Sequence, residues 1–324
     1  MEGVSEKPRT VAGPGYEALR SGAAWLDLST RGKIIARGED RARLLHAMTT
    51  NHVQQLQPGE GCYAFFLNAQ GRILADVNLF CRPEDFLLDV EPETRATLFQ
   101  HLDRFIIADD VTLEDATSAL ATLDLEGPKA LTLAARIKVP LPEKPWSFTA
   151  WNDALVAHVS FTGAPGLRFF VPSEKKQSLV ESFQTAGAVA AEPDEARIVR
   201  LEHFKPRYGE DILPAALTQE TQQMHAVHFT KGCYIGQEIV ERVRSRGLVH
   251  RLLAGIEIEG TEVPAPDTRL FRGEENVGKI TSAAFSPALG KVVAMAYVRR
   301  ELAEPGSTLT MDTRPAIVRA LYRP

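Results

Sequence analysis

The stretch Lys231-Gly-Cys-Tyr-Ile-Gly-Gln-Glu-Ile-Val-Glu-Arg-Val-Arg-Ser-Arg-Gly247 is the most distinctive part of the chain. Gly236 is predicted to open a helix at this point. Cys233 then lies just before a helix N-terminus and two residues from Lys231, and both features stabilise a thiolate. The spacing is compatible with a reactive thiol, although free cysteines more often pack as buried small hydrophobes.

The same predicted helix carries a run of basic side chains: Arg242, Arg244 and Arg246, followed by His250 and Arg251. Such a run forms either a solvated helix face or an anion-binding patch beside the cysteine. A carboxylate and an RNA phosphate are both anions that this patch could bind.

Two carboxylates are candidate ligand-binding groups. Glu202 lies in Arg200-Leu-Glu-His-Phe-Lys-Pro-Arg-Tyr-Gly-Glu-Asp-Ile212, on an apolar helix that ends in a loop with Pro and Gly. It could accept two parallel hydrogen bonds from an aminopyrimidinone edge, or remain exposed on the helix. Asp76 follows a predicted hairpin turn and could either contact a ligand or face solvent.

Composition narrows the class of protein. The chain has 324 residues, of which 44 % are hydrophobic and 24 % charged, which predicts two or three globular domains. A formal net charge of −5 argues against a surface built for nucleic acid. We find no signal peptide, transit peptide or membrane helix, and three cysteines make no disulfide framework, so we expect a cytoplasmic protein in a reducing compartment.

A metal site is not expected. His225, His228 and Cys233 are spaced as three ligands could be, but no fourth ligand lies nearby at regular spacing.

The pattern along the chain predicts three regions. Residues 1–15 are polar and contain Pro and Gly, which is typical of a flexible lead-in. Residues 16–246 alternate helical and strand patterns and form an α+β region in two lobes, with a break at the proline-rich stretch 136–149. Residues 247–324 contain evenly spaced short apolar runs, which predict a small β-barrel.

The octapeptide at 231–238 resembles the signature of the YgfZ family, whose members are related to glycine-cleavage aminomethyltransferase. The resemblance extends over nearly the whole chain. It includes Leu26-Asp-Leu-Ser-Thr-Arg-Gly-Lys-Ile34, the hairpin motif Gly71-Arg-Ile-Leu-Ala-Asp76, and Gly278-Lys-Ile-Thr-Ser-Ala-Ala-Phe-Ser-Pro287.

This resemblance implies an α+β, aminomethyltransferase (GcvT)-like folate-binding fold with a C-terminal β-barrel, in a ring-like three-part arrangement. Tetrahydrofolate or a derivative would occupy the central opening, with the thiol of Cys233 at its rim.

The implied function is support of the assembly or repair of iron–sulfur clusters in client enzymes, including tRNA-modifying ones. The implied partners are folate and iron–sulfur client or assembly proteins, with an indirect link to tRNA modification, no membrane, and a monomeric chain. Whether the protein turns over a substrate is left open. The alternative is a folate-dependent aminomethyltransferase or methyltransferase of the glycine-cleavage T-protein type, and an RNA-binding module is a third hypothesis.

The resemblance also assigns site residues. Cys233 matches the signature cysteine and is the candidate reactive thiol, and Asp76 is a second candidate catalytic group. Glu202 resembles a pterin-contacting glutamate, and the remaining candidate folate-binding residues are Lys231, Tyr234, Gln237, Arg242 and Arg246.

One departure bears on the chemistry. Aminomethyltransferases carry an Asp-Asp pair at the end of the hairpin motif, where this chain has Ala75-Asp76. The loss of one carboxylate argues against general acid–base chemistry on the folate.

Overall fold

Three β-sheets organise the chain in the computed structural model, which describes residues 12–247 and 249–324. We call them the N-terminal sheet, the middle sheet and the barrel. The predicted lead-in at 1–15 falls mostly on residues 1–11, which lie outside the described residues. The α-helices are α1 (Pro14–Ser21), α2 (Arg41–Met48), α3 (Arg95–Asp103), α4 (Ala130–Arg136), α5 (Lys176–Ala186), α6 (Pro193–Glu202) and α7 (Gln237–Arg246).

The N-terminal sheet has five strands in the order β3-β4-β5-β2-β6. Its helices, α2 and α3, pack with one face of the sheet around a single apolar core. The other face contributes to the cavity described below. The strands are β2 (Gly32–Arg37), β3 (Gly61–Leu67), β4 (Ile73–Cys81), β5 (Asp85–Val90) and β6 (Thr112–Asp115).

The predicted hairpin between β3 and β4 is present. Asn68 holds its turn, because the Asn68 Oδ1 atom accepts hydrogen bonds from the backbone N–H groups of Gln70 at 3.0 Å and Arg72 at 2.9 Å. Gly71 has a φ of +68°, which a glycine adopts without steric cost. The register then places Phe65 opposite Asp76.

The middle sheet has six strands in the order β11-β1-β7-β10-β9-β8, backed by α4 and α5. The strands are β1 (Ala24–Asp27), β7 (Leu120–Glu126), β8 (Phe148–Trp151), β9 (Ala154–Ala157), β10 (Gly166–Pro172) and β11 (Val189–Ala190).

The boundary between the two sheets does not coincide with the predicted break between lobes at 136–149. Strand β1 precedes the N-terminal sheet along the chain, yet it pairs with β7 and β11 of the middle sheet. The chain returns to the middle sheet at residues 116–119, between β6 and β7. The proline-rich stretch is an internal connection between α4 and β8, because its prolines interrupt regular structure without separating two cores.

The barrel is closed by six strands in the order β12-β15-β14-β13-β16-β17, and β12 pairs with both β15 and β17. Closure leaves no free sheet edge. The strands are β12 (Arg251–Ile258), β13 (Arg269–Arg272), β14 (Glu275–Ser286), β15 (Lys291–Arg299), β16 (Thr308–Met311) and β17 (Arg314–Arg319). The three-part architecture with a C-terminal barrel is therefore present, while the ring-like arrangement stays a prediction.

A buried ion network joins the N-terminal and middle sheets. Arg168 on β10 donates from Nη1 to Asp89 on β5 at 2.5 Å and from Nε and Nη2 to Asp124 on β7, both at 2.8 Å. Arg31 donates to the other oxygen of Asp89 at 2.6 Å. Burial opposes ionisation of Asp89, but Arg31 and Arg168 hold the pKa of this carboxyl below its usual value.

A second network joins α6 and its following loop to the barrel. Asp211 accepts hydrogen bonds from Arg200 at 2.7 Å and from Thr281 at 2.8 Å, and also from Ser282. Within residues 12–247 and 249–324, every helix is too short or too polar to cross a bilayer.

We predict that Arg168→Met lowers the free energy of unfolding by about 3–5 kcal/mol, because Asp124 loses its charged partner in a buried site. The matched control is Lys279→Met, which breaks the exposed pair with Asp267 and should change stability by less than about 1 kcal/mol. Thermal and urea unfolding of both variants measure the difference. Equal stability of the two variants would contradict the structural role of the Arg168 network.

Candidate functional site

A cavity of about 330 Å³ lies between the N-terminal and middle sheets and the loop that follows α6. Strands β3 and β4 contribute Tyr63 and Asp76, and the loop before β10 contributes residues 158–165. Lys205 and Tyr322 come from the loop after α6 and from the C-terminal segment. The chain therefore brings residues from distant positions to one enclosed space, which is typical of a small-molecule site.

Asp76 is the carboxylate that faces this cavity with an unused hydrogen-bonding atom. Its Oδ2 accepts a hydrogen bond from the Tyr63 hydroxyl at 2.8 Å, whereas its Oδ1 is buried and has no partner. Burial, and then the negative charge of Glu91, raise the pKa of Asp76 to about 7, against the opposing effects of Arg31 and Tyr63. A buried, unpartnered acceptor at a cavity wall costs stability and indicates a place for a ligand donor.

The neighbouring Ala75 faces the other side of the sheet. Successive side chains of a strand alternate between its two faces, and Ala75 packs in the apolar core with α2 and α3. A carboxylate at position 75 would therefore point into that core. The departure from an Asp-Asp pair removes nothing from the cavity, and this corrects the argument that it weakens acid–base chemistry there.

Three aromatic rings form a stack in the cavity wall. The ring centres of Tyr63 and Trp146 each lie 5.3 Å from that of His225, with interplanar angles of 29° and 27°. His225 is the solvent-exposed member of this stack, and partial desolvation and then the charge of Lys205 lower its pKa. A neutral stack of this kind offers a flat apolar surface to an aromatic ligand.

Sequence reasoning missed the aromatic stack and Lys205. It considered His225 only as a metal ligand and Trp146 only as part of a connector. No local pattern signals this arrangement, because the three rings come from β3, from the stretch before β8 and from the loop before α7. Among the described residues, no group of three or more His, Cys, Asp or Glu side chains could hold a metal ion.

Cys233 and Lys231 lie outside the cavity lining. Lys231 is buried, and its Nζ donates to the backbone oxygens of Thr49, at 2.7 Å, and of His46. Burial lowers its pKa to about 8. Lys231 thus fastens the signature loop to the end of α2, while Cys233 is exposed on that loop. That the thiol lies at the rim of the cavity stays a prediction.

The other signature and helix residues also lie away from the cavity lining. Tyr234 is buried in the core that the barrel shares with α6, and Gln237 is the first residue of α7. Arg242 and Arg72 line a separate shallow groove, and Arg246 is exposed at the end of α7. The structure does not bring these residues together with Asp76.

Glu202 is also absent from the cavity lining, and its assignment as a pterin contact stays a prediction. Its carboxylate accepts hydrogen bonds from Tyr16 at 2.5 Å, Arg20 at 2.8 Å and Ser286 at 2.6 Å. It therefore holds α1, α6 and β14 together. A helix carboxylate with three donors already in place has little capacity left for a ligand.

Comparisons with known proteins cover almost the whole chain. The GCVT N-terminal domain model matches residues 9–231, and the glycine cleavage T-protein C-terminal barrel domain model matches residues 251–321. The aminomethyltransferase of Rubrobacter xylanophilus is 30 % identical over 320 residues, which cover 95 % of this chain and 84 % of that protein. The aminomethyltransferase of a Nostoc species is 29 % identical in an alignment that covers 95 % of this chain and 87 % of the relative.

A solved structure supports the fold. The glycine cleavage system aminomethyltransferase T of Bartonella henselae superposes with a TM-score of 0.85 over 94 % of this chain and 87 % of that protein, at 20 % sequence identity. The predicted aminomethyltransferase-like fold is thereby confirmed.

We predict that one of the three thiols reacts quickly with Ellman's reagent in the native protein. Cys233 is exposed, whereas burial raises the pKa of Cys62 to about 12 and also raises that of Cys81. Cys233→Ser should remove the fast reaction, and the control Cys62→Ser should leave it intact. A fast thiol that persists in Cys233→Ser would refute the placement of the signature loop.

Proposed function

Because the chain belongs to the glycine cleavage T-protein family, we propose that it binds a reduced folate in the cavity beside Asp76. The observation that carries this proposal is the buried, unpartnered Oδ1 atom of Asp76. An ionised carboxylate pairs well with the adjacent N–H donors of an aminopyrimidinone edge, which is the recognition group of a pterin.

The rest of the cavity fits such a ligand. The stack of Tyr63, His225 and Trp146 supplies a flat surface for an aromatic ring. Tyr63 also orients Asp76, because its hydroxyl occupies the other carboxylate oxygen at 2.8 Å. These residues would hold and orient the ligand away from bulk water.

The first candidate activity is folate-dependent aminomethyl transfer. It is favoured by the names of the curated relatives, which are aminomethyltransferases aligned over nearly the full chain. A reduced folate supplies amine nitrogens that accept a one-carbon unit. Asp76 suits such a site because a carboxyl group with a pKa of about 7 can both accept and release a proton near neutral pH.

The second candidate is a YgfZ-type role in the maturation of iron–sulfur proteins, including enzymes that modify tRNA. It is favoured by the exposure of Cys233 on a signature loop that takes no part in the cavity. A solvent-accessible thiol is available to a protein partner without disturbing the bound ligand. The names of the relatives nevertheless favour the first candidate.

We predict that Asp76→Asn weakens tetrahydrofolate binding about 10- to 100-fold in anaerobic calorimetric titration. The reason is the loss of a charged hydrogen-bond acceptor, which is worth about 1.5–3 kcal/mol. Glu202→Gln serves as the comparison and should leave the affinity unchanged, since Glu202 lies outside the lining. The proposal fails if Asp76→Asn binds like the wild type while Glu202→Gln does not.

The wild-type affinity should also rise between pH 6 and pH 8. Binding requires the ionised carboxylate, and the pKa of Asp76 in the free protein is raised to about 7, so a proton must leave on binding at lower pH. The pH dependence should be lost in Asp76→Asn. A wild-type affinity that falls over this pH range would contradict the assignment.

Turnover by the variants Cys233→Ser and Asp76→Asn distinguishes the two candidate activities. For aminomethyl transfer, wild type and Cys233→Ser should both release ammonia and methylene-folate from tetrahydrofolate and an aminomethylated lipoyl carrier. Turnover should be at least about 1 s⁻¹ and should be reduced in Asp76→Asn.

No turnover, together with loss of iron–sulfur enzyme activity in a deletion strain that Cys233→Ser does not restore, would instead select the maturation role.

A further inference from the structure

Lys205 places an ammonium group in the cavity wall with two neutral protein contacts. Its Nζ donates to the backbone oxygen of Ser160 and lies 5.1 Å from the centre of the Tyr322 ring. Among the described residues, no carboxylate oxygen lies within 4.0 Å of this nitrogen. An ammonium has three donors, so two remain for something other than the protein.

Glu126 is the carboxylate that most raises the pKa of Lys205, but its oxygens already accept hydrogen bonds from other groups. Glu126 accepts hydrogen bonds from the backbone N–H groups of Phe161 and Thr162 and from the Thr162 hydroxyl. These contacts fix the loop whose Ser160 oxygen meets Lys205. Burial lowers the pKa of Lys205 to about 8 against the opposing charge of Glu126, so the ammonium form still dominates at pH 7.

Two further buried nitrogen atoms in the same wall have no partner. The Nη1 atom of Arg200 donates to the Lys205 backbone oxygen at 2.6 Å, yet its Nε is unpaired. The Nδ1 atom of His158, two residues before Ser160, is also unpaired. Arg200 and Lys205 therefore both bring spare donors to the cavity lining, whereas Asp76 brings a spare acceptor.

The aromatic stack links the hydrogen-bond acceptor at Asp76 to the donor at Lys205. Tyr63 bonds to Asp76, His225 stacks on Tyr63, and the charge of Lys205 acts on His225. A ligand with donors at one end, an aromatic ring in the middle and an anion at the other end would satisfy all three. Folate has this order of groups, and its anionic end is a glutamate.

We propose that Lys205, with the spare Nε donor of Arg200, forms a carboxylate-binding subsite that recognises the glutamate end of the bound folate. The inference rests on the proposed function and adds a specificity residue to it. Arg200 is held by Asp211 and Glu210, and Lys205 is held by the Ser160 carbonyl, so the donors are fixed before the ligand binds.

The test compares two ligands that differ only in the glutamate, namely tetrahydrofolate and tetrahydropteroate. Anaerobic titration of Lys205→Met should show tetrahydrofolate binding reduced about 10- to 100-fold and tetrahydropteroate binding changed less than about twofold. Lys205→Arg should restore much of the loss. The control is Lys176→Met, an exposed lysine paired with Asp27 outside the cavity, which should alter neither affinity.

Each other outcome is informative. Equal losses for both ligands, or no loss for either, would overturn the subsite while leaving folate binding in place. A wild type that binds neither ligand would overturn the proposed function and this inference with it. If thermal unfolding shows that Lys205→Met is not folded, Lys205→Gln replaces it, with the same expected results.

Discussion

The buried guanidinium of Arg168, held between Asp89 and Asp124, determines how the N-terminal and middle sheets meet. Each charge in this network has a partner of opposite sign, which offsets the large desolvation cost of burying it. Arg168 also lines the cavity, so the group that joins the sheets shapes the space between them. Asp76 and Lys205 depend on this frame, because β4 supplies one and the loop after α6 supplies the other.

In the cavity, unlike in the ion network, some polar groups lack hydrogen-bond partners. Asp76 keeps a buried oxygen without a partner, and the partly buried Lys205 keeps spare donors. Unsatisfied buried groups lower stability, and a fold retains them where a ligand completes their hydrogen bonds. Lys231 in the signature loop, by contrast, makes its hydrogen bonds within the protein. The Lys231 ammonium group donates to backbone oxygens, and Cys233 on the same loop is exposed at the surface.

Local patterns predicted the parts of the fold that depend on neighbours in sequence. The Asn68–Gly71 turn, the helix that begins after Gly236 and most barrel strands are of this kind. The boundary between the two sheets was not predicted, because β1 pairs with strands almost a hundred residues or more away. The hydrogen bonds of Glu202 could not be predicted, because Tyr16 and Ser286, which bind it, are remote in sequence. Asp76 was identified, yet its raised pKa depends on non-local burial.

The most direct test of the central claim is a crystal structure of the protein with tetrahydrofolate, grown without oxygen. We expect the aminopyrimidinone edge of the ligand within about 2.7–3.2 Å of the Asp76 carboxylate, including the Oδ1 atom that has no protein partner. A ligand outside the cavity, or a ligand inside it whose pterin edge faces away from Asp76, would contradict this binding mode.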